Sequence, residues 1–316
     1  MGDQMGELNL READRLEVLN LVDNYTDVFK AQDTKIDRRP WVSPPTLLLA
    51  EHGFSCFLKV CAGSEEHFVL FDSGVSAECL FHNAKLLNVD LDSIESIVLS
   101  HGHFDHTGGL MELLGRSTKE IPLILHPDAF LIRRLKNPSL SHPVDMPSLE
   151  EESLRKSGAK ILESLGPSTL ASGLIMATGE VERVTPFEKG FPGMEAKING
   201  NWVVDPINDD QGLVVNLKDK GLVVISGCSH AGIINTVKYA KKITKIEKVH
   251  AVLGGFHLTG LQFEPIIGAT IEEMKKINPD YVAPMHCTGW NAINQFKEKM
   301  PGRVIINTVG TIYTFN

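Results

Sequence analysis

Apolar positions along the chain fall into short runs that alternate between a strand-like and a helix-like period. LEVLNLV (16–22) carries Leu16, Val18, Leu19, Leu21 and Val22 and predicts a first strand. FSCFLKV and HFVLF predict a hairpin, ended by Asp72-Ser73-Gly74. Over residues 77–88, Leu80, Phe81, Ala84 and Leu87 stand at helical spacing. SIVLS (96–100) reads as a short buried strand, GGLMELLG (108–115) as a helix and PLILH (122–126) as another strand. Further on, LIMA, LVVNL (213–217), GLVVISG (221–227), VHAVLGG (249–255) and YVAPMHC predict strands. Two helices lie between them, marked by Ile233, Ile234, Val237 and Ala240, and by Ile267, Ile271, Met274 and Ile277. RVIIN and TIYTF read as closing strands.

Three stretches break this rhythm. Residues 1–15 read as a loosely attached terminus. Residues 24–47 are polar and contain Pro40, Pro44 and Pro45, which predicts a long loop or flap of the kind that often carries function. Residues 127–172 suggest helical pieces at 128–136 and 148–157, interrupted by Pro138, Pro143 and Pro147. Strands and helices alternate in both halves and no linker divides them, so residues 16–316 read as a single α/β domain built from two β-rich halves.

The chemistry concentrates in LSHGHFDHTGG. His101, His103, Asp105 and His106 lie within six residues, directly after an apolar strand. Neutral imidazole is a good ligand for zinc or iron, and a carboxylate adds charge and a harder oxygen donor. A loop held by a strand end can aim such donors at two adjacent points, with His101 and His103 serving one ion and Asp105 and His106 a second. Asp105 is also the carboxylate placed to position a water or a proton. The expected cofactor is therefore one or two divalent metal ions, zinc or iron before magnesium or manganese.

The 316 residues carry a net charge of -9, which argues against non-specific binding to nucleic acid or an anionic membrane. An anionic small-molecule substrate in a metal-bearing pocket remains compatible with that charge. The five cysteines are scattered without a CxxC pair, and the polar N-terminal stretch lacks the apolar core of a signal peptide. Both observations predict a cytoplasmic protein. A homodimer using the 24–47 loop is a further expectation.

HGHFDH has the HxHxDH pattern of the metallo-β-lactamase superfamily, and FDSG (71–74) resembles that superfamily's first motif. GCSHAGIINTV (227–237), VLGGFHL (252–258) and PMHCTG (284–289) resemble its dihydropterin synthase-like branch, whose members join a dihydropterin methyl diphosphate to a ribofuranosyl-aminobenzene phosphate. The resemblance implies an αββα sandwich, two mixed sheets packed face to face with helices outside. It implies His286 as a ligand of the second metal and Asp72 as support for the metal loop. His230 is the preferred ligand after the strand GLVVISG, with Cys228 the alternative. His257 is a candidate to contact substrate or move a proton, and Trp41, Trp202 and Trp290 are candidates to line a pterin pocket. One departure stands out: Asn208-Asp209-Asp210-Gln211-Gly212 occupies the place of the superfamily's third, His-bearing motif. His230, or less readily Asp210, could take over that role. A hydrolase of a phosphoester, thioester or lactone, and a non-catalytic metal-binding sensor, are the alternatives to a transferase.

Overall fold

The computed structural model describes residues 9–136 and 141–316. Its first sheet runs in the order Ala159–Glu163, Ile121–Leu125, Ser96–Val98, Glu65–Phe71, Ser55–Ala62, Arg15–Val22, Ile312–Phe315 and Asp37–Arg38. The second runs Ser168–Leu170, Ile175–Ala177, Gly212–Leu217, Gly221–Ser226, Val249–Gly255 and Tyr281–Met285, with Glu12–Ala13 added alongside Gly212–Leu217.

Alternation along the strands builds the layers. Cys56, Leu58 and Val60 point from the first sheet into one central core, where they meet Leu213, Val215, Val223, Ile225, Ala251 and Leu253 of the second. The intervening positions face outward, where helices cover them. Ala77–Leu86, Leu110–Arg116 and Glu151–Lys156 pack on the first sheet. Ile233–Thr244, Ile267–Ile277 and Trp290–Lys299 pack on the second. The result is the four-layer αββα arrangement.

Several local readings need correction. The stretch 128–136 is not helical beyond a short turn at Pro127–Phe130: Arg133–Leu135 is a strand, paired with Met194–Ala196 in a small third sheet. RVIIN contributes only an isolated bridge between Val304 and Val282, because the chain turns away toward residues 306–310. Residues 1–8 lie outside the described residues, but Leu10 is buried and Glu12–Ala13 pairs with Asn216–Leu217, so the rest of the supposed loose terminus is part of the sheet. The 24–47 segment is largely irregular yet tethered. Asp37–Arg38 pairs with Ile312–Tyr313, and Arg39 donates to Thr308 Oγ1 at 2.6 Å and to the carbonyl of Ile306 at 2.8 Å. Among the described residues, no helix is long and apolar enough to cross a membrane.

The parallel strands of both sheets run toward the same edge of the sandwich. Glu65–Phe71 and Ser96–Val98 are parallel neighbours in the first sheet, and Gly221–Ser226, Val249–Gly255 and Tyr281–Met285 in the second. Loops leaving the carboxyl ends of such strands converge, which is where open α/β sheets place their ligands.

The small sheet is tied to this edge by Arg133. Its guanidinium is 2% exposed and bonds Asp205 Oδ2 through Nε at 2.6 Å and Asp209 Oδ1 through Nη2 at 2.7 Å. Removing a buried charge strands its partners without compensation. Arg133→Ala is expected to destabilise the metal-free protein by about 3–5 kcal/mol, read as a lower urea midpoint with little change in slope.

Candidate metal centre

Asp72 follows the strand Glu65–Phe71 in a left-handed backbone conformation (φ 61°), which turns its carboxylate back beneath the next strand's loop. Oδ1 accepts from the Ser100 backbone N–H and Oδ2 from Ser100 Oγ, each at 2.7 Å. The same Oδ2 lies 2.7 Å from His106 Nδ1. With a carboxylate there, His106 donates from Nδ1 and leaves the Nε2 lone pair free. Gly227 permits this packing, since a Cβ at that position would stand 2.1 Å from Ser100 Oγ.

Asp105 and His106 project from the helical turn Phe104–Thr107. Its backbone is fixed from below: Phe54 N–H donates to the Asp105 carbonyl at 3.1 Å and Ser73 N–H to the His106 carbonyl at 2.7 Å. From the second sheet, Cys228 and His230 follow Gly221–Ser226, His257 follows Val249–Gly255 and His286 follows Tyr281–Met285.

These side chains converge in two groups. Asp105, His106, Cys228 and His286 offer donor atoms within 4.8 Å of one another, and so do His101, Cys228 and His230. His106 Nε2 is 3.1 Å from Cys228 Sγ, and His286 Nε2 is 3.4 Å from Asp105 Oδ2. The His103 ring centroid lies 4.4 Å from that of His101 and 4.8 Å from that of His230, on the side of the second group. Cys228 belongs to both groups and His230 to the second, so the fold brings both candidates to the centre. His257 forms a further group with Cys228 and Cys287, its ring 4.3 Å from that of His230. Asp210 stays outside these groups, because its Oδ2 accepts from the Ala231 N–H at 2.8 Å.

The donor set fits divalent metal. His101 Nε2, His103 Nε2, His230 Nδ1 and Nε2, and His286 Nε2 are buried and have no hydrogen-bond partner. Buried polar atoms are nearly always paired, and orphaned imidazole nitrogens that face one another fit a shared divalent cation. A thiol among imidazoles favours zinc or iron over magnesium.

Electrostatics divides the two groups in the metal-free protein. Burial holds His101, His103 and His230 well below the ordinary imidazole range, with the neighbouring positive groups adding to it. Burial also opposes charge on His106, but Asp72 and Asp105 outweigh it and raise that imidazole. His286 is raised to about 9, burial being overcome by Cys287 and Asp105 beside it. Asp105 is held well below the carboxylate range: burial works against ionisation, and His106 and His286 overcome it. Burial, with Cys287 close by, raises the Cys228 thiol.

Other neighbours carried no signal in the sequence. Asp23 and Asn24 open the 24–47 loop and grip His286, through its backbone N–H and through Nδ1, each at 3.0 Å. His52 Nε2 lies 3.7 Å from Asp105 Oδ2 at the exposed mouth. A cleft beside the centre is lined by residues that include His230, His257, Lys189, Phe187, Phe256 and Phe263, and none of Trp41, Trp202 and Trp290 lines it. Trp41 is exposed, Trp202 stacks under Arg134, and Trp290 meets Tyr25 edge-on.

Residues 56–233 match the family model of the metallo-beta-lactamase superfamily. A protein of Methanocaldococcus jannaschii named 7,8-dihydropterin-6-methyl-4-(beta-D-ribofuranosyl)-aminobenzene-5'-phosphate synthase is 34% identical over 295 residues, 92% of this chain and 94% of its own. An uncharacterized protein of the same organism is 33% identical over 79% of this chain and 88% of its own length. Among solved structures, Tm1679, described as a metal-dependent hydrolase of the beta-lactamase superfamily, superposes with a TM-score of 0.73 at 23% identity, over 95% of this chain and 98% of that one. With a family model spanning more than half of its residues and a relative 34% identical across nearly its whole length, the chain belongs to the metallo-β-lactamase superfamily.

Proposed function

We propose that the chain is a metal-dependent transferase that joins a dihydropterin methyl diphosphate to an aminobenzene acceptor bearing a ribofuranosyl phosphate. The observation that carries this reading is the 34% identity to the Methanocaldococcus jannaschii synthase, sustained over 92% of the chain. The site supports it independently. A flat heterocycle needs apolar walls, and Phe187, Phe256 and Phe263 provide them directly beside His230 and His257. Lys189 at the same cleft offers a cation to an anionic substrate.

In this reading His101, His103 and His230 hold one ion, Asp105, His106 and His286 hold the other, and Cys228 lies between them. Bound there, divalent ions supply Lewis-acid neutralisation of the charge on a departing diphosphate. The protein's own part is to position and to exclude water. Asp72 and Ser100 fix the orientation of His106, and Asn24 that of His286. The phenylalanine walls keep the methylene carbon dry while an acceptor nucleophile attacks it. His257, against Phe263 with ring centroids 4.4 Å apart, stands at the border of cleft and centre, where it can receive the proton the nucleophile loses.

Elemental analysis of the purified protein should find about two divalent ions per chain, and His103→Ala should lose at least one of them. Absence of metal from the wild type after reconstitution would sink the reading. The pH dependence of uptake should differ between the two positions. His286, raised to about 9, is protonated at neutral pH and must release that proton to bind metal. Affinity at the Asp105–His106–His286 position therefore rises with pH until that value is passed, whereas His101, His103 and His230 are already neutral. Calorimetric titrations in buffers of different ionisation enthalpy would measure the protons released at each step.

The reaction itself is tested by supplying the pterin diphosphate with and without the aminobenzene acceptor. Diphosphate release that requires the acceptor, accompanied by the coupled product, is expected. Release of the same rate without acceptor would make the protein a hydrolase.

A further inference from the structure

The segment that replaces the superfamily's third motif has no histidine, yet it is buried against both histidine-bearing loops. Asp209, Asp210 and Gln211 are each no more than 2% exposed. Asp209 Oδ2 accepts from the Gly102 N–H at 2.7 Å, between His101 and His103. Asp210 Oδ2 accepts from the Ala231 N–H at 2.8 Å, immediately after His230. Gln211 bonds the strand end that leads into the first loop, its N–H to the Ser100 carbonyl at 2.9 Å and its Nε2 to the Leu99 carbonyl at 2.8 Å. Arg133 braces Asp209 from behind through Oδ1. Gly102 is required for this approach, because a Cβ there would stand 2.2 Å from the Ala129 carbonyl oxygen and 2.7 Å from Arg133 Nη1.

We propose that Asp209, Asp210 and Gln211 are positioning residues that clamp the loop of His101 and His103 to the loop of His230, and so preform one metal position where the superfamily elsewhere uses a third-motif ligand. The inference rests on the metal-centre reading above and deepens it. Three side chains act here through backbone amides and carbonyls rather than as donors to an ion. Two buried carboxylates are an expensive way to pack a turn, since Asp210 Oδ1 has no partner at all. They are economical if the distance between two loops from different sheets must be set within a few tenths of an ångström.

The test is a cobalt(II) titration of the full-length, metal-stripped protein, followed by absorption spectroscopy. Wild type, Asp209→Ala, Asp210→Ala and Asp210→Asn are compared, with His101→Ala and His286→Ala assigning the two cobalt equivalents. Asp209→Ala and Asp210→Ala should weaken the equivalent lost in His101→Ala by about 10–100-fold and leave the other unchanged. Asp210→Asn retains an oxygen acceptor for the Ala231 N–H and should restore wild-type affinity. Thermal unfolding of each metal-free variant accompanies the titration. Equal weakening of both equivalents in step with a lower melting temperature, or no weakening of either, would overturn the clamp while leaving the metal centre standing. A wild type that takes up no cobalt would instead remove the metal-centre reading, and the clamp with it.

Discussion

Five imidazoles, a thiol and a carboxylate packed into one buried recess form an arrangement that the chain cannot satisfy with hydrogen bonds alone. His101, His103, His230 and His286 each bury a ring nitrogen without a partner. Every such atom forfeits hydration that is worth about 1–3 kcal/mol in mutational series. The remaining structure is arranged to hold this unfavourable cluster in place. Asp72 and Ser100 lock His106, Asp23 and Asn24 lock His286, and the 208–212 turn holds the backbones of the other loops. The sheets themselves contribute by sending five strand ends to one edge. A centre built at the expense of polar satisfaction makes sense only where a ligand restores what was given up, and a divalent ion does so for several nitrogens at once.

Fold and site were legible in the sequence to different depths, for identifiable reasons. HGHFDH could be read directly because its donors lie within six residues of one another and follow a short buried strand. The strands Gly221–Ser226 and Val249–Gly255 were equally plain, being continuous apolar runs buried on both faces. Arg133–Leu135 was misread as helix because RRL on a small edge sheet has no alternation to display, and its partner strand Met194–Ile198 lies about sixty residues away. The pairing of Asp209 with Gly102 was invisible for a different reason. A side chain that serves a backbone amide leaves no trace on the residue it serves, so spacing carries no record of the contact. Asn24 and His286 are separated by 262 positions, and they meet because Arg15–Val22 delivers Asn24 to the site while Ile312–Phe315, between Arg15–Val22 and Asp37–Arg38, holds part of the 24–47 segment to the same sheet.

The pair Cys228 and His230 illustrates how geometry changes a question. In the sequence the two compete for one ligand position after the strand GLVVISG, with His230 preferred because its imidazole reaches further from the turn. In the fold, Ser229 takes a left-handed conformation (φ 58°) and its Oγ anchors to the Gly255 carbonyl at 2.7 Å. The backbone reverses there, and the residues on either side both face the recess. Cys228 is shared by the two donor groups and His230 belongs to one of them. A thiol in that position stands within reach of both halves of the centre.

The donors also come from two separate stretches of the chain: His101 to His106 from the first sheet, Cys228 to His286 from the second, with 122 positions separating His106 from its contact Cys228. An ion held by both sets would be a cross-link of the folded chain, where alone the site exists, and its binding free energy would add to the stability of the fold. Occupancy and persistence of the fold are then expressions of the same free energy. A copy that binds no ion would forgo that contribution, and metal supply would then bear on how long the protein persists as well as on its chemistry.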